Sequence, residues 1–171
     1  IYGFSHTHLS GTGIGDMGDI LMLPFAGDIT EKPVATFNKS DEKASAGHYT
    51  VAFNNYNVKS ELTATTRVGM HRYTFNKKSN NHILLDIGHI LQRTWGHSNV
   101  YNELEIIDNL SELPHFRTEL TSENTPQIIV ALREKIKQAD GVIICTPEYV
   151  FSIPSCLKNM IEWSVSTTIF S

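Results

Sequence analysis

The sequence has few cysteines, no excess of basic residues and no long apolar run, and each absence excludes a class of protein. The two cysteines, Cys145 and Cys156, lack Cys-x-x-Cys spacing, so neither a zinc knuckle nor a disulfide framework is predicted. The 14 Lys and Arg are scattered and outnumbered by 18 Asp and Glu, which argues against a nucleic-acid partner. No apolar stretch approaches the roughly 20 residues that span a bilayer, so no membrane partner is predicted.

The sequence does contain two parts of different character. Seven of the eight histidines precede His115, and the first part has short β patterns, whereas the second alternates strand and helix patterns. We place the change between residues 100 and 116, with a junction near residues 105–112. The start of the chain lacks an initiating methionine and a signal-peptide pattern, so a fragment or a processed chain is expected. Two domains are predicted, residues 1–108 and residues 109–171.

The opening segment is rich in glycine and hydroxyl side chains, which predicts a loop over residues 4–19. Its glycines neither follow a buried strand nor open a helix, so a phosphate-binding turn is not predicted. His6 and His8 stand two apart, so an extended segment places both on one side, where they would ligate a metal or bind sugar hydroxyls. The alternative, in which both imidazoles bond to neighbouring loop backbone, stays open at this point.

Short alternating apolar runs predict successive strands in the first part. The predicted strands are residues 20–23, 48–53, 58–68, 71–75 and 82–87, separated by turns at residues 54–57, at Gly69 and at residues 80–81. Since strands follow one another at this spacing without a helix between them, an antiparallel β-sandwich is predicted.

Four motifs of the first part carry a family resemblance. They are GFSHTHLSGTG at residues 3–13, GDI at 18–20, ELTAT at 61–65 and HRYTF at 71–75. Over residues 3–108 the chain resembles the amino-terminal β-sandwich domain of glycoside hydrolase family 92, whose members are calcium-dependent, inverting α-mannosidases, largely secreted or periplasmic in bacteria. The residues that this resemblance implies on a loop facing the sugar pocket, in contact with a mannose-containing glycan, are Ser5, His6 and His8.

The same resemblance limits what chemistry is expected here. The family's catalytic carboxylates and calcium ligands belong largely to a helical barrel that follows the sandwich, and nothing in this sequence resembles that barrel. An inverting glycosidase needs two carboxyl groups about 6.5–9.5 Å apart with a water between them. We therefore expect no catalytic residue and no metal ligand in this chain.

The second part alternates strand and helix patterns. Residues 141–146 are continuously apolar until Thr146, as in a parallel strand covered on both faces, and residues 103–108 give a second strand pattern. Helices are predicted to begin at Pro126 and at Ser155. Residues 147–154 form the loop at the carboxyl end of the predicted strand, which is where open α/β sheets bind ligands.

Three motifs of the second part carry a different resemblance. They are ADGVIICTPEY at residues 139–149, LKNMIEW at 157–163 and Leu113-Pro114 with Phe116. Over residues 110–171 the chain resembles the NADPH-dependent FMN reductase family of flavodoxin-like proteins. The residues that it implies in contact with the isoalloxazine ring are Pro147, Glu148 and Tyr149. The alternative for Tyr149 is packing under a loop.

The resemblance implies FMN as cofactor and NADPH as the family's co-substrate. The family's phosphate-binding loop is not found in this sequence, so FMN binding is expected to be weak. The fold class predicted for the whole chain is mixed, with an antiparallel β-sandwich followed by an incomplete α/β flavodoxin-like part. The two resemblances imply different compartments, export for the first and cytoplasm for the second.

For function, we expect a fusion of two fragments without complete catalytic activity. The alternatives are a sugar-binding sandwich from the first part and a flavin-binding oxidoreductase from the second. An open sheet without its neighbours exposes apolar edges, here at residues 142–144 and 51–53, which predicts self-association.

Overall fold

The computed structural model describes residues 1–6, 20–76, 80–89, 103–121, 124–147, 149–150, 152–165, 167 and 169. The chain divides into two compact units, Ile1–Glu103 and Leu104–Ser171. We call them the strand unit and the helix unit, because in the described residues all strands lie in the first and both α-helices in the second. The predicted domain boundary between residues 108 and 109 stays a prediction.

The strand unit contains two antiparallel sheets. Its strands are β1 (Phe4–His6), β2 (Ile20–Ala26), β3 (Glu42–Ser45), β4 (His48–Phe53), β5 (Val58–Ala64), β6 (Gly69–Phe75) and β7 (Asn81–Asp86). Sheet A has the order β1-β2-β7 and sheet B the order β3-β4-β5-β6. Short turns join the consecutive strands of sheet B, and the hairpin predicted around residues 54–57 is confirmed. The strand predicted over residues 58–68 ends at Ala64, so the next hairpin turns at residues 65–68, and Gly69 is the first residue of β6 and not a turn residue.

The two sheets pack face to face around one core. Side chains at alternate positions of β4 and β5 point inward, and Val51, Phe53 and Val58 are at most 1% exposed. Leu23 of β2 belongs to the same buried cluster. The antiparallel β-sandwich is therefore confirmed. The expected exposure of residues 51–53 is wrong for Val51 and Phe53, because sheet A covers this face of sheet B.

Strand β2 is longer than predicted, because it continues through Pro24 to Ala26. Proline lacks the N–H that a strand needs to bond to a neighbour on both sides. Pro24 is tolerated because β1 pairs only with Ile20, Leu21 and Met22, so that at Pro24 strand β2 has β7 alone as its neighbour.

The predicted loop over residues 4–19 is wrong at its start, where Phe4–His6 form β1. Three residues make a short strand, and the reason that it forms is the apolar ring of Phe4, which packs against the core. Residues 7–19 lie outside the described residues.

The helix unit contains α1 (Gln127–Gln138) and α2 (Ser155–Ser164), which confirms both predicted helices. Each is preceded by a proline, Pro126 or Pro154, at a position where no helical N–H bond is lost. The buried core of the helix unit combines residues of both helices with one residue before them: Leu113, Ile129, Leu132, Ile136, Leu157, Met160 and Trp163. Short 3-10 helices span Lys39–Asp41 in the strand unit, and Leu110–Glu112 and Thr118–Leu120 in the helix unit.

The two strands predicted for the helix unit are wrong. Residues 103–108 and 141–146 form no strand, and Val142, Ile143 and Ile144 are 41–47% exposed. A strand exists only when a neighbour takes up its backbone N–H and C=O groups. No described strand pairs with either segment, so the flavodoxin-like prediction is supported in its helices only.

No helix within the described ranges is both long and apolar enough to cross a membrane.

Candidate functional site

The ring of Phe4 fixes β1 against the interior of the strand unit. It stacks on Phe53 with ring centroids 5.9 Å apart, and it meets Tyr49 and His71 edge-on at 6.3 and 5.7 Å. Such aromatic pairs contribute about 0.5–1.5 kcal/mol each beyond their buried area. Phe4 therefore anchors the start of the segment that was predicted to face a sugar.

Gly3 lets β1 approach β2 closely. A Cβ atom at position 3 would lie 2.7 Å from the Cγ atom of Leu21 and 2.8 Å from the carbonyl oxygen of Met22. These distances are far below van der Waals contact, and one of the two atoms is backbone, so a side chain here would push β1 away from β2. The position of β1 thus depends on a glycine before it and an aromatic ring within it.

Ser5 follows Phe4 in β1 and pairs with Leu21. Its hydroxyl oxygen is buried and has no hydrogen-bond partner among the described residues. Leaving a buried hydroxyl unpaired costs about 1–3 kcal/mol, so a polar group that reached this oxygen would stabilise it. The Ser60 hydroxyl of β5 is buried and unpaired in the same way.

His6 ends β1, where its backbone pairs with Ile20. Its side chain and the whole of His8 lie outside what the structure describes. Of the three residues predicted to contact a sugar, the structure therefore places Ser5 and the backbone of His6 together at the end of β1. Their role as substrate contacts stays a prediction.

His71 and Tyr73 form a polar pair beside Phe4 that the sequence analysis did not single out. They occupy alternate positions of β6, and His71 Nδ1 lies 2.6 Å from the Tyr73 hydroxyl oxygen. Burial raises the pKa of the Tyr73 hydroxyl well above its ordinary value. The available signal was the spacing of two in a predicted strand, which places both side chains on one face.

The carboxylates of sheet B are engaged in ion pairs. Glu61 Oε2 lies 3.0 Å from Arg72 Nε and its Oε1 lies 2.9 Å from Lys59 Nζ, and these bonds lower the Glu61 pKa to about 2. Bonds from Lys39 and then from the Tyr49 hydroxyl lower the Glu42 pKa. A general acid must carry a proton near the working pH, so neither carboxyl group suits that role.

In the helix unit, Tyr149, which was predicted to contact a flavin, begins a tight turn. The Tyr149 N–H donates to the Ser152 carbonyl at 2.8 Å, and the Ser152 N–H donates to the Tyr149 carbonyl at 3.0 Å. Tyr149 is 65% exposed, so its ring is not packed under a loop. Pro147 is also exposed, and Glu148 lies outside the described residues. The exposed ring and the proline offer an apolar surface to a planar ligand.

The side chains of Asn159 and Trp163 on α2 hold the chain segment before α1. Asn159 Oδ1 accepts a bond from the Phe116 N–H at 2.8 Å, and Asn159 Nδ2 donates to the Pro114 carbonyl at 3.0 Å. The Trp163 indole donates to the same carbonyl at 2.7 Å, and its ring meets Phe116 edge-on at 5.3 Å. We call these contacts the α2 clamp. Sequence analysis did not predict it, although Asn159 and Trp163 lie four apart on one face of a predicted helix.

Residues 1–135 match the family model of the glycosyl hydrolase family 92 N-terminal domain. The chain belongs to this family. The match continues beyond residue 108, where the sequence resemblance was predicted to end, and it reaches into α1. Among solved structures, a family 92 α-mannosidase of Bacteroides thetaiotaomicron in complex with mannoimidazole is 38% identical, with a TM-score of 0.48; the match covers 53% of this chain and 13% of that one.

Curated relatives of another kind match the carboxyl-terminal part. The NADH:(hydroxy)cinnamate reductase subunit CrdA of Vibrio ruber is 40% identical over 90 residues, which is 53% of this chain and 41% of that protein. The quinone reductase of Escherichia coli K12 is 40% identical over 62 residues, which is 36% of this chain and 33% of that protein. The chain thus spans less than half the length of these relatives. The suspicion of a chimera of two families is supported.

For a family 92 chain, calcium is the metal whose fit has to be examined. Calcium takes six to eight oxygen ligands, several of them carboxylates. The described residues contain no group of three or more His, Cys, Asp or Glu side chains that could hold a metal ion. They do not fit a calcium site, and no step of the chemistry below involves one.

Proposed function

We propose that this chain binds a mannose-containing glycan through the segment that β1 opens, and that it does not hydrolyse the glycan. The observation that carries the proposal is the buried, unpartnered hydroxyl of Ser5. It lies beside His6 in a strand whose place is fixed by Gly3 and Phe4. Family membership supports the ligand class.

The residue types suit a neutral ligand with many hydroxyl groups. A sugar hydroxyl both donates and accepts, so it pairs with a serine hydroxyl and with either nitrogen of an imidazole. Binding a sugar hydroxyl to Ser5 would relieve the cost of its unpaired oxygen, which makes this contact more favourable than a bond at an exposed serine.

The expectation of no hydrolysis rests on the two carboxylates of sheet B and on the family's catalytic carboxylates, which belong largely to a helical barrel that nothing in this sequence resembles. Inversion needs one carboxylic acid that protonates the leaving oxygen and one carboxylate that activates water. Glu42 and Glu61 are held in the ionised form by their partners. We therefore expect the chain to bind without turnover.

The test is a calorimetric titration of the purified full chain with methyl α-mannoside, with calcium and with a chelator. Ser5→Ala should weaken binding roughly 3- to 10-fold, the value of one hydrogen bond. The matched control is Ser45→Ala, because Ser45 is an exposed serine of β3. Equal affinities of the two variants, or release of p-nitrophenol from p-nitrophenyl α-mannoside by the parent chain, would overturn the proposal.

A second candidate function is flavin binding by the helix unit. The observation that favours it is the exposed ring of Tyr149 at a closed turn that begins two residues after Pro147. The reductases matched by the carboxyl-terminal part support this ligand class. Pro147 and Tyr149 would contact the isoalloxazine ring of FMN, which supplies hydride chemistry when bound, and NADPH would be the reductant.

Quenching of FMN fluorescence measures this second function. Tyr149→Ala should weaken FMN binding several-fold, since it removes the aromatic contact. Tyr2→Ala is the matched control, because Tyr2 is 69% exposed and lies in the strand unit. If the parent chain at millimolar concentration does not quench FMN fluorescence, flavin binding is rejected. The glycan proposal is independent of this result.

A further inference from the structure

Val150 has a backbone conformation that valine rarely adopts. Its φ angle is +51°, in the left-handed region, where a β-branched side chain collides with its own backbone. The side chain is 81% exposed, so packing does not hold it there. Such outliers mark strain, and strain of this kind is concentrated at ligand-binding loops.

Two hydrogen bonds hold the strained residue. Val150 occupies the first central position of the turn that the mutual backbone bonds of Tyr149 and Ser152 close. Hairpin turns with a positive φ at this position favour glycine, asparagine or aspartate. For a residue with a Cβ atom, the left-handed conformation is disfavoured roughly 5- to 30-fold in population. The closed turn is therefore less favourable with valine at this position than with asparagine.

We infer that Val150 is a positioning residue that sets the fraction of molecules in which the turn presents Tyr149 to a planar aromatic ligand. The inference rests on the proposed flavin binding. When a binding-competent state is only partly populated, the apparent dissociation constant rises in inverse proportion to its population. Asparagine at position 150 tolerates the left-handed conformation, so it increases the closed population without adding a ligand contact at Tyr149.

The experiment compares Val150→Asn with Val165→Asn in the full chain. Val165 is 75% exposed and has a φ of −60°, so the same substitution there relieves no strain. Titration with FMN should give Val150→Asn a dissociation constant roughly 3- to 10-fold lower than that of the parent, with Val165→Asn unchanged. Amide hydrogen exchange at Tyr149 and Ser152 should slow by a similar factor in Val150→Asn alone.

The two readouts separate the inference from the function on which it rests. If neither the parent nor Val150→Asn quenches FMN fluorescence but amide exchange slows in Val150→Asn, the proposed flavin binding is rejected and the strain at Val150 is supported. Unchanged exchange in Val150→Asn overturns the strained turn. Slower exchange with an unchanged FMN dissociation constant, in a chain that does bind FMN, overturns the positioning role.

Discussion

Strand β2 and residues 141–146 have similar apolar composition but different surroundings. β2 lies against β7 and over sheet B, and its Leu23 is fully buried, whereas Ile143 is 41% exposed in a segment without a described neighbour. The two α-helices of the helix unit, which also contains residues 141–146, form because an α-helix satisfies its hydrogen bonds within itself. The difference teaches that an apolar run becomes a strand only where another strand is present to pair with it.

The largest expected effect comes from truncating a side chain in each segment. Leu23→Ala should lower the free energy of unfolding by about 2–5 kcal/mol, because it removes buried surface and leaves a cavity. Ile143→Ala should cost less than about 1 kcal/mol, since its side chain is half in water. Urea denaturation of both variants measures the difference. A large loss in Ile143→Ala would show that residues 141–146 are buried in solution.

A second pair of variants replaces Gly3, which precedes β1 and contacts β2, and Gly141 in residues 141–146. Gly3→Ala should cost about 1–3 kcal/mol, because the added methyl group meets Leu21 and the backbone of Met22. Gly141→Ala should be neutral or stabilising by up to about 1 kcal/mol, since nothing lies within 4 Å of its Cβ position. Chemical denaturation checks both. Destabilisation by Gly141→Ala would indicate a neighbour that crowds this segment.

Self-association of the chain through residues 141–146 is a third expected effect. We expect two copies of the chain to pair weakly through residues 141–146, which carry no charge, so that aligned copies meet no electrostatic repulsion. Ile143→Lys introduces like charges into this contact and should weaken association roughly 5- to 10-fold in sedimentation equilibrium.

The matched control for association is Ile106→Lys. Ile106 is 76% exposed in residues 103–108, but there Glu103, Glu105 and Asp108 already oppose self-pairing. A monomeric parent chain would contradict the expectation, as would equal effects of the two lysines.

The smallest effect concerns the pH dependence of the strand unit. The folded pKa of Glu61 is about 2, below the ordinary value of 4.5 that applies to the unfolded chain. A depressed pKa stabilises the fold above pH 4.5, and this contribution is lost as the pH falls towards 2. Glu61→Gln should therefore flatten the decline in stability between pH 4.5 and 2. Its partners Lys59 and Arg72 are 48% and 64% exposed, so the change should be small. Asp28→Asn, at an exposed carboxylate, is the control, and an identical pH profile in both variants would contradict the assignment.

Much of the strand unit could be predicted because its apolar positions alternate, as at Val51 and Phe53, and because asparagines mark the turn at residues 54–57. The extension of β2 through Pro24 could not, since it depends on where β1 stops. The failure of residues 141–146 to form a strand is likewise a matter of neighbours. For the candidate sites, motifs pointed to Ser5 and Tyr149, but the unpaired hydroxyl of one and the exposed turn of the other are properties of three-dimensional surroundings.

The α2 clamp has a consequence for how foreign sequence can be joined to this helix. Its hydrogen bonds end on main-chain atoms of Pro114 and Phe116, and the side chains of Leu113 and Phe116 also pack in the core of the helix unit. His115 is exposed between them and free of such demands. A donor segment with an apolar residue at each of those two positions would keep the hydrogen bonds to Asn159 and Trp163. The packing of α2 in a core shared with Leu110, Leu120 and α1 is separate and would have to be kept as well.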